Sequence, residues 1–186
     1  PRLTPRSHRA TELAKEFVRQ GHTVILYAFL GDYDYTEVSE STGVIFKDLG
    51  EAKYGMPSNT KGLEQTIFHR LGRFLGRPIL FPECTMIPKV KRAIKDEGEI
   101  DLLVTIAVPH VIHFAASLSD RSKVRTWVAD CGDPFMGNPF CKPLFYFEWF
   151  ERRWCNMCSY ITVPVEDAKN AYYPEYHDKI RVIPQG

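Results

Sequence analysis

The chain has 186 residues and a mass of 21.4 kDa, which is the size of one compact domain. Apolar residues make up 44% of it and charged residues 25%, so the composition is globular and excludes the disordered, collagen-like and coiled-coil classes. The 24 Lys and Arg residues against 23 Asp and Glu give a net charge of +1. This balance argues against a nucleic-acid partner, because such binders normally carry a larger basic excess.

Apolar patterning along the chain predicts alternating helices and strands. The first helix has one apolar face over residues 10–18 and ends at Gly21, and the buried strand Thr23–Leu30 follows it. Further strands are predicted at Val44–Phe46, Leu102–Ala107, Arg125–Asp130, Tyr160–Pro164 and Ile180–Ile183. Further helices are predicted at Gly62–Leu75, Pro88–Lys95, Val111–Leu118, Leu144–Asn156 and Glu166–Ala171.

This alternation predicts the fold class, an α/β protein with a doubly wound, mostly parallel, Rossmann-like sheet and helices on both faces. The uncharged stretch Leu102–Ser119 is long enough for a membrane span, but Pro109 and two histidines in its middle favour a strand, a turn and a helix. Folds of this class usually start with a strand, whereas this chain starts with a loop and a helix. We therefore expect the first strand to lie upstream of Pro1.

The cysteines give a prediction about the compartment. There are five at irregular spacing, whereas a small secreted disulfide framework usually has an even set. A reducing, cytoplasmic location fits better. Cys155 and Cys158 form a C-x-x-C pair without a second pair at suitable spacing, so free thiols are predicted there and no metal site.

Four segments carry a family resemblance. They are, in chain order, ATELAKEFVRQGHTVILY, then DLLVTIAVPHVIHFAASL with the nearby RTWVADCGDPF, then FERRWCNMCSYITVP, and finally KIRVIPQG. Together they resemble the N-terminal half of retaining glycosyltransferases of family 4, whose GT-B fold has two facing Rossmann-like domains. Residues 31–95 contribute little to the resemblance.

The resemblance implies a division of labour. In the family the second domain holds the nucleotide sugar and the first holds the acceptor. Residues 1–186 are thus expected to form one acceptor-binding domain, with the nucleotide-sugar domain lying outside this sequence. The implied function is transfer of a sugar from a nucleotide-sugar donor to a glycan or lipid-linked acceptor, as in polysaccharide biosynthesis. No cofactor is expected, and this half alone is expected to be inactive.

Asp133 is the predicted catalytic residue. Ligands of doubly wound sheets bind beyond the carboxyl ends of strands, and Asp133 follows the strand Arg125–Asp130. Its carboxylate can accept a hydrogen bond from the acceptor hydroxyl or stabilise positive charge at the anomeric centre. The alternative is a turn residue before Pro134 that caps the backbone. Many relatives carry a His near this strand end, where this chain has Gly132, which is assigned to acceptor binding; Asp130 is expected to be structural.

The other predicted acceptor-binding residues lie at two places. His110 follows the strand Leu102–Ala107 and can bind a sugar hydroxyl, cap the next helix or make a structural hydrogen bond, whereas His113 is predicted to pack in the interior. An opening loop, Thr4–Arg9, is predicted to bind the acceptor and an anion, with Ser7 or Thr4 as a helix cap; the alternative is a plain surface loop. The loop residues assigned to acceptor binding are Arg6, Ser7, His8 and Arg9.

Three further features can be explained either by a structural role or by a functional one. Glu151 matches a helix-opening Glu of the family, but a solvated helix charge is favoured. The aromatic stretch LFYFEWFERRW is a half-buried helix by default, with an interfacial membrane helix as the alternative. Basic residues between Arg70 and Lys95 are either solvated helix faces or a contribution to peripheral membrane contact.

Other function classes compete with the glycosyltransferase. A nicotinamide oxidoreductase would carry G-x-G-x-x-G after a strand, and the sequence contains no such run. A non-catalytic carbohydrate-binding or partner-binding Rossmann-like module keeps the fold without a second domain. One half of a sugar-nucleotide epimerase is a further alternative with the same two-domain architecture.

Overall fold

The computed structural model describes residues 5–31, 34–50, 78–80, 82–140 and 143–184. Contacts divide the chain into two compact units, Pro1–Ala52 and Lys53–Gly186, which are described one at a time. The single domain predicted over residues 1–186 therefore stays a prediction. The predicted helix Gly62–Leu75 lies outside the described residues.

The first unit has a helix–strand–helix–strand order. Strands β1 and β2 pair in parallel, with Ile25 opposite Ile45. Helix α1 has one apolar face, and Gly21, at φ +89°, follows it as the spacing predicts. The elements are α1 (Pro5–Arg19), β1 (Ile25–Ala28), α2 (Thr36–Thr42) and β2 (Ile45–Asp48).

The opening segment differs from the prediction of a loop. Helix α1 begins at Pro5, because proline has a helical φ and needs no hydrogen-bond acceptor in a first turn. Arg6, Ser7, His8 and Arg9 therefore lie in the first two turns of α1. The carbonyl of Ser7 accepts a hydrogen bond from the Thr11 hydroxyl at 2.8 Å. Ser7 is thus inside the helix, so the Ser7 alternative for the cap is wrong. Thr4, the other predicted cap, lies outside the described residues.

The second unit contains a four-stranded parallel sheet in the order β3-β4-β5-β6. Together with the first unit it confirms the α/β class with parallel sheets and helices. Its strands are β3 (Ile100–Ala107), β4 (Val124–Cys131), β5 (Tyr160–Val163) and β6 (Ile180–Val182). Its described helices are α3 (Ile87–Asp96), α4 (Val111–Ser117) and α5 (Phe147–Met157), with 3-10 helices at Glu83–Met86, Glu166–Ala171 and Pro174–Lys179.

The register of the sheet aligns the ends of its strands. Ala107 lies opposite Cys131, and Asp130 lies opposite Thr162. Strands β3, β4 and β5 therefore end at the same side, which we call the carboxyl edge; the opposite side is the amino edge. Helices α4 and α5 begin near the carboxyl edge and end near the amino edge.

The prediction for Leu102–Ser119 is confirmed, since the stretch forms most of β3, a turn at Pro109 and α4. Ala115 and Ala116 of α4 are fully buried, as are Trp127 of β4 and Trp154 of α5. Small residues on α4 allow close packing, and each buried tryptophan ring removes a large apolar surface from water. Among the described residues, no helix has both the length and the apolar character to cross a membrane.

Candidate functional site

His110 lies at the carboxyl edge, in the turn after β3. It occupies the N-cap position of α4 but makes no side-chain capping hydrogen bond, so the capping alternative is wrong. Its side chain is largely buried, with 9% exposed, and its ring stacks on Phe135 with the ring centroids 4.9 Å apart. His110 is thereby held against the loop that follows the neighbouring strand.

Gly132 and Asp133 lie in that loop, directly after β4. The Asp133 side chain is exposed, and Phe135 follows two residues later. The Phe135 ring contacts Phe147, the first residue of α5, at a centroid distance of 5.8 Å, in addition to His110. His110, Gly132 and Asp133, three of the predicted site residues, thus follow neighbouring strands at the same edge of the sheet.

Glu151, on α5, forms a hydrogen bond with the backbone of the same loop. Its carboxylate accepts a hydrogen bond from the Met136 N–H at 3.2 Å, and its side chain is fully buried. Burial raises the pKa of Glu151, although hydrogen bonds from the Met136 N–H and the Tyr173 hydroxyl act in the opposite direction. The prediction of a solvated helix charge is therefore wrong.

The spacing of α5 contained the signal for this burial. Phe147, Glu151, Trp154 and Cys155 stand at i, i+4, i+7 and i+8, and all four are buried. Glu151 therefore belongs to the inward stripe of the helix. A charged residue on such a stripe needs a polar partner in the interior, which here is the loop backbone.

Gly137 fixes the far side of the loop. A Cβ atom at this position would lie 2.3 Å from the Ala171 carbonyl oxygen and 2.7 Å from its Cβ. The loop backbone thus packs directly on the 3-10 helix Glu166–Ala171. A glycine is required here because of close approach of two backbones, not because of its φ angle.

A layer of neutral polar side chains lies directly beneath the edge. His113 is fully buried, with Nδ1 2.8 Å from the Thr105 hydroxyl and Nε2 3.3 Å from Cys131 Sγ. The Trp127 indole N–H donates to the same hydroxyl at 2.8 Å. Burial and the nearby His110 hold the pKa of His113 well below its usual range, and burial raises the pKa of the Cys131 thiol.

The directions of these pKa shifts, together with burial, indicate what the His113–Cys131 pair does. Both groups are neutral, and Cys131 is 1% exposed, so the pair is not an activated nucleophile, which needs a thiolate and access. The prediction that His113 packs in the interior is confirmed. Asp130, at the end of β4, accepts a hydrogen bond from the Thr162 hydroxyl at 2.5 Å in the buried core, as expected of a structural residue.

The remaining predictions concern thiols and metals. Cys84, Cys131, Cys155 and Cys158 are free, which confirms free thiols at the C-x-x-C pair. Burial raises the pKa of Cys158 to about 11. Within the described part of the chain, no group of three or more His, Cys, Asp or Glu residues is arranged to hold a metal ion.

The aromatic stretch forms a half-buried helix, as expected. Phe147 and Trp154 are buried, whereas Trp149 is 60% exposed and Phe145, just before the helix, is 84% exposed. Of the described basic residues, Lys91, Arg92 and Lys95 are exposed on α3 and Lys89 is partly exposed. Arg70, Arg73 and Arg77 lie outside the described residues. The interfacial alternative stays a prediction.

Comparisons of the chain with protein-family models, with curated proteins and with solved structures find no match. The function is therefore inferred from the geometry at the carboxyl edge together with the resemblance of the four segments.

Proposed function

We propose that this chain is the acceptor-binding domain of a nucleotide-sugar-dependent glycosyltransferase that acts on a glycan or a lipid-linked glycan. The observation that carries the proposal is the contact between the rings of His110 and Phe135, because it joins the turn after β3 to the loop after β4 that carries Asp133. Ligands of parallel α/β sheets bind at this edge.

Asp133 is the catalytic residue of the proposal. In glycosyl transfer an acceptor hydroxyl bonds to the anomeric carbon, the bond from that carbon to the nucleotide phosphate breaks, and the hydroxyl proton leaves with the phosphate or to solvent. Positive charge develops on the sugar ring as the bond breaks. An exposed carboxylate on an anchored loop orients the hydroxyl and stabilises this charge.

His110 and Gly132 complete the acceptor site in this proposal. The imidazole of His110 is a hydrogen-bonding group for sugar hydroxyls, and the Phe135 stack fixes its orientation. Gly132 has no side chain and directly precedes Asp133. Arg6, Ser7, His8 and Arg9 belong to the other compact unit, and their contribution to the acceptor or donor phosphates stays a prediction.

The test uses the full-length natural protein with a panel of UDP-sugars and GDP-sugars and measures released nucleotide. We expect release by the wild type, a loss of about 100-fold or more for Asp133→Ala, and a smaller loss for His110→Ala. Asp101→Ala is the matched control, because Asp101 is an exposed aspartate at the start of β3, at the amino edge of the same sheet.

Each outcome separates the candidates. Release that survives Asp133→Ala and His110→Ala would keep the enzyme class but reject the residue assignments. A sugar nucleotide that is isomerised rather than cleaved would favour the epimerase alternative. Glycan binding without release of nucleotide from any donor would favour a non-catalytic module.

A further inference from the structure

Glu151 is a buried ionisable group that the proposed reaction does not use. It lies on the inward stripe of α5 between Phe147 and Trp154, and its side chain is fully buried. Burying a carboxyl among apolar residues costs free energy, which packing alone does not recover. An apolar residue at this position would serve the core better, so the carboxyl has another role.

The contact with the loop indicates that role. The Glu151 carboxylate accepts the Met136 N–H, and Met136 directly follows Phe135. The Phe135 ring in turn lies against His110 at 4.9 Å and Phe147 at 5.8 Å. The Glu151 carboxylate thus binds the backbone of the loop that carries both Asp133 and Phe135. Through the Phe135 ring, the same loop contacts His110.

A second contact supports the same role. Gly137, next to Met136, packs on the backbone of Ala171 with no space for a Cβ. Two adjacent loop residues are therefore held, Met136 by Glu151 and Gly137 by the backbone of Ala171. Anchoring of this kind is what an enzyme needs at a loop whose polar groups must keep their position during the reaction.

Glu148 shows that the position, and not the residue type, is decisive. It lies on the same helix, three residues earlier, and its half-exposed carboxylate binds Arg152 Nε at 2.8 Å. This ion pair joins successive turns of α5, and Arg152 also pairs with Glu175. Glu148 therefore offers a matched control of identical chemistry.

We infer that Glu151 is a positioning residue for sugar transfer: its hydrogen bond to the Met136 N–H holds the loop 132–137 so that Asp133 and His110 face the same acceptor. The inference rests on the proposed function. It predicts that removing the side-chain oxygen that accepts the Met136 N–H loosens the loop. The rate of sugar transfer then falls, whereas binding of the donor is unchanged.

The experiment compares Glu151→Met, Glu151→Gln and Glu148→Gln in the full-length protein. Methionine keeps roughly the side-chain volume of glutamate but is only a weak acceptor for the Met136 N–H. Glutamine keeps a carbonyl oxygen that can accept this hydrogen bond. Hydrogen exchange measured by mass spectrometry on peptides that span residues 132–140 reports the loop directly. Nucleotide release gives kcat and the KM for the donor.

We expect Glu151→Met to speed exchange of the loop amides about tenfold and to lower kcat about tenfold or more, with the donor KM unchanged. Glu151→Gln should restore both readouts to near the wild-type values, and Glu148→Gln should leave both unchanged. Slow loop exchange in a folded Glu151→Met protein, or a Glu151→Gln protein as impaired as Glu151→Met, would overturn the inference.

The two proposals fail in different ways. If Glu151→Met frees the loop but wild type releases nucleotide from no donor, the proposed function fails and only the anchoring is supported. If wild type transfers sugar and Glu151→Met transfers equally well with a freed loop, the positioning role fails and the proposed function stands.

Discussion

The two edges of the four-stranded sheet are built differently. At the amino edge, where α4 and α5 end, cationic side chains bind the last carbonyl groups of both helices. Arg121 donates to the Met157 carbonyl at 3.1 Å, and Arg153 donates to the Ser117 carbonyl at 3.2 Å. Carbonyl groups at a helix end have no partner within the helix, and positive charge there also interacts favourably with the helix dipole.

At the carboxyl edge, where the same helices begin, the N-cap side chains do not bond to the helix ends. The N-cap residues His110 and Tyr146 make no side-chain capping hydrogen bond. The exposed carboxylate of Asp133 lies at this edge as well. The amino edge is thus closed by side-chain hydrogen bonds to helix ends, whereas the carboxyl edge carries an exposed carboxylate, and ligands of parallel sheets bind at the carboxyl edge.

The largest expected effect tests the support of the carboxyl edge. His113→Ala should lower the free energy of unfolding by about 3–4 kcal/mol, because it leaves a cavity and removes the partner of the Thr105 hydroxyl and of Cys131. Urea unfolding followed by tryptophan fluorescence measures it. His110→Ala, at the edge itself, should cost only about 1 kcal/mol. Equal losses for the two histidines would contradict the distinction between the fully buried supporting layer and the turn at the edge.

The next effect tests the packing of the site loop. Gly137→Ala should cost about 1–3 kcal/mol, because the new methyl group would overlap the Ala171 carbonyl and one backbone must move. We also expect faster hydrogen exchange of the loop 132–137. Gly98→Ala is the control, since a Cβ there meets no atom within 4 Å, and it should change stability by less than about 0.5 kcal/mol. A neutral Gly137→Ala would mean that the loop is not held against the 3-10 helix.

Much of the fold could be predicted because strands and helices have distinct apolar periods. The runs around Leu102–Ala107 and Arg125–Asp130 became β3 and β4 within a few residues of the predicted bounds. Helix α2 was missed, because TEVSEST has few apolar residues and several poor helix formers. Its end is set by Gly43 at φ +72°, a local signal that can be read only once a helix is suspected.

The site could be predicted only where it depends on strand ends. His110 and Asp133 follow β3 and β4, so their edge was predictable from the chain order. Glu151 was misassigned because its charge outweighed its place on the apolar stripe of α5. The role of Gly137 depends on contact with Ala171, which is distant along the chain, so no local pattern indicates it.

The buried carboxylate predicts a pH dependence of stability. Because burial raises the pKa of Glu151 above its ordinary value of 4.5, the unfolded chain releases this proton at lower pH than the folded protein. The stability that the protonated side chain contributes is fully present below the unfolded pKa and is lost as the pH rises through the folded pKa. The unfolding free energy should fall by at most about 1.4 kcal/mol per pH unit in that window.

Glu151→Gln isolates this contribution, since glutamine does not titrate. The difference in unfolding free energy between Glu151→Gln and wild type should grow as the pH rises above about 4.5 and then level off. Denaturant unfolding at a series of pH values measures it. The neighbouring groups Glu148, Tyr173 and Cys155 are present in both proteins, so their titration cancels to first order. A difference that is constant over this range would show that the carboxyl does not change charge there.

The smallest expected effect tests the amino edge. Lys179 Nζ donates to the carbonyls of Cys155, Asn156 and Cys158 at 3.1, 2.7 and 3.0 Å and so closes the end of α5. Lys179→Met keeps the length of the side chain and should lower the unfolding free energy by about 1 kcal/mol, while the exposed Lys123→Met changes it little. Sugar transfer well below the melting temperature should be unchanged, because the proposed acceptor site lies at the opposite edge. A loss of transfer at full folding would mean that the two edges are coupled through α5, whose first turns hold the site loop.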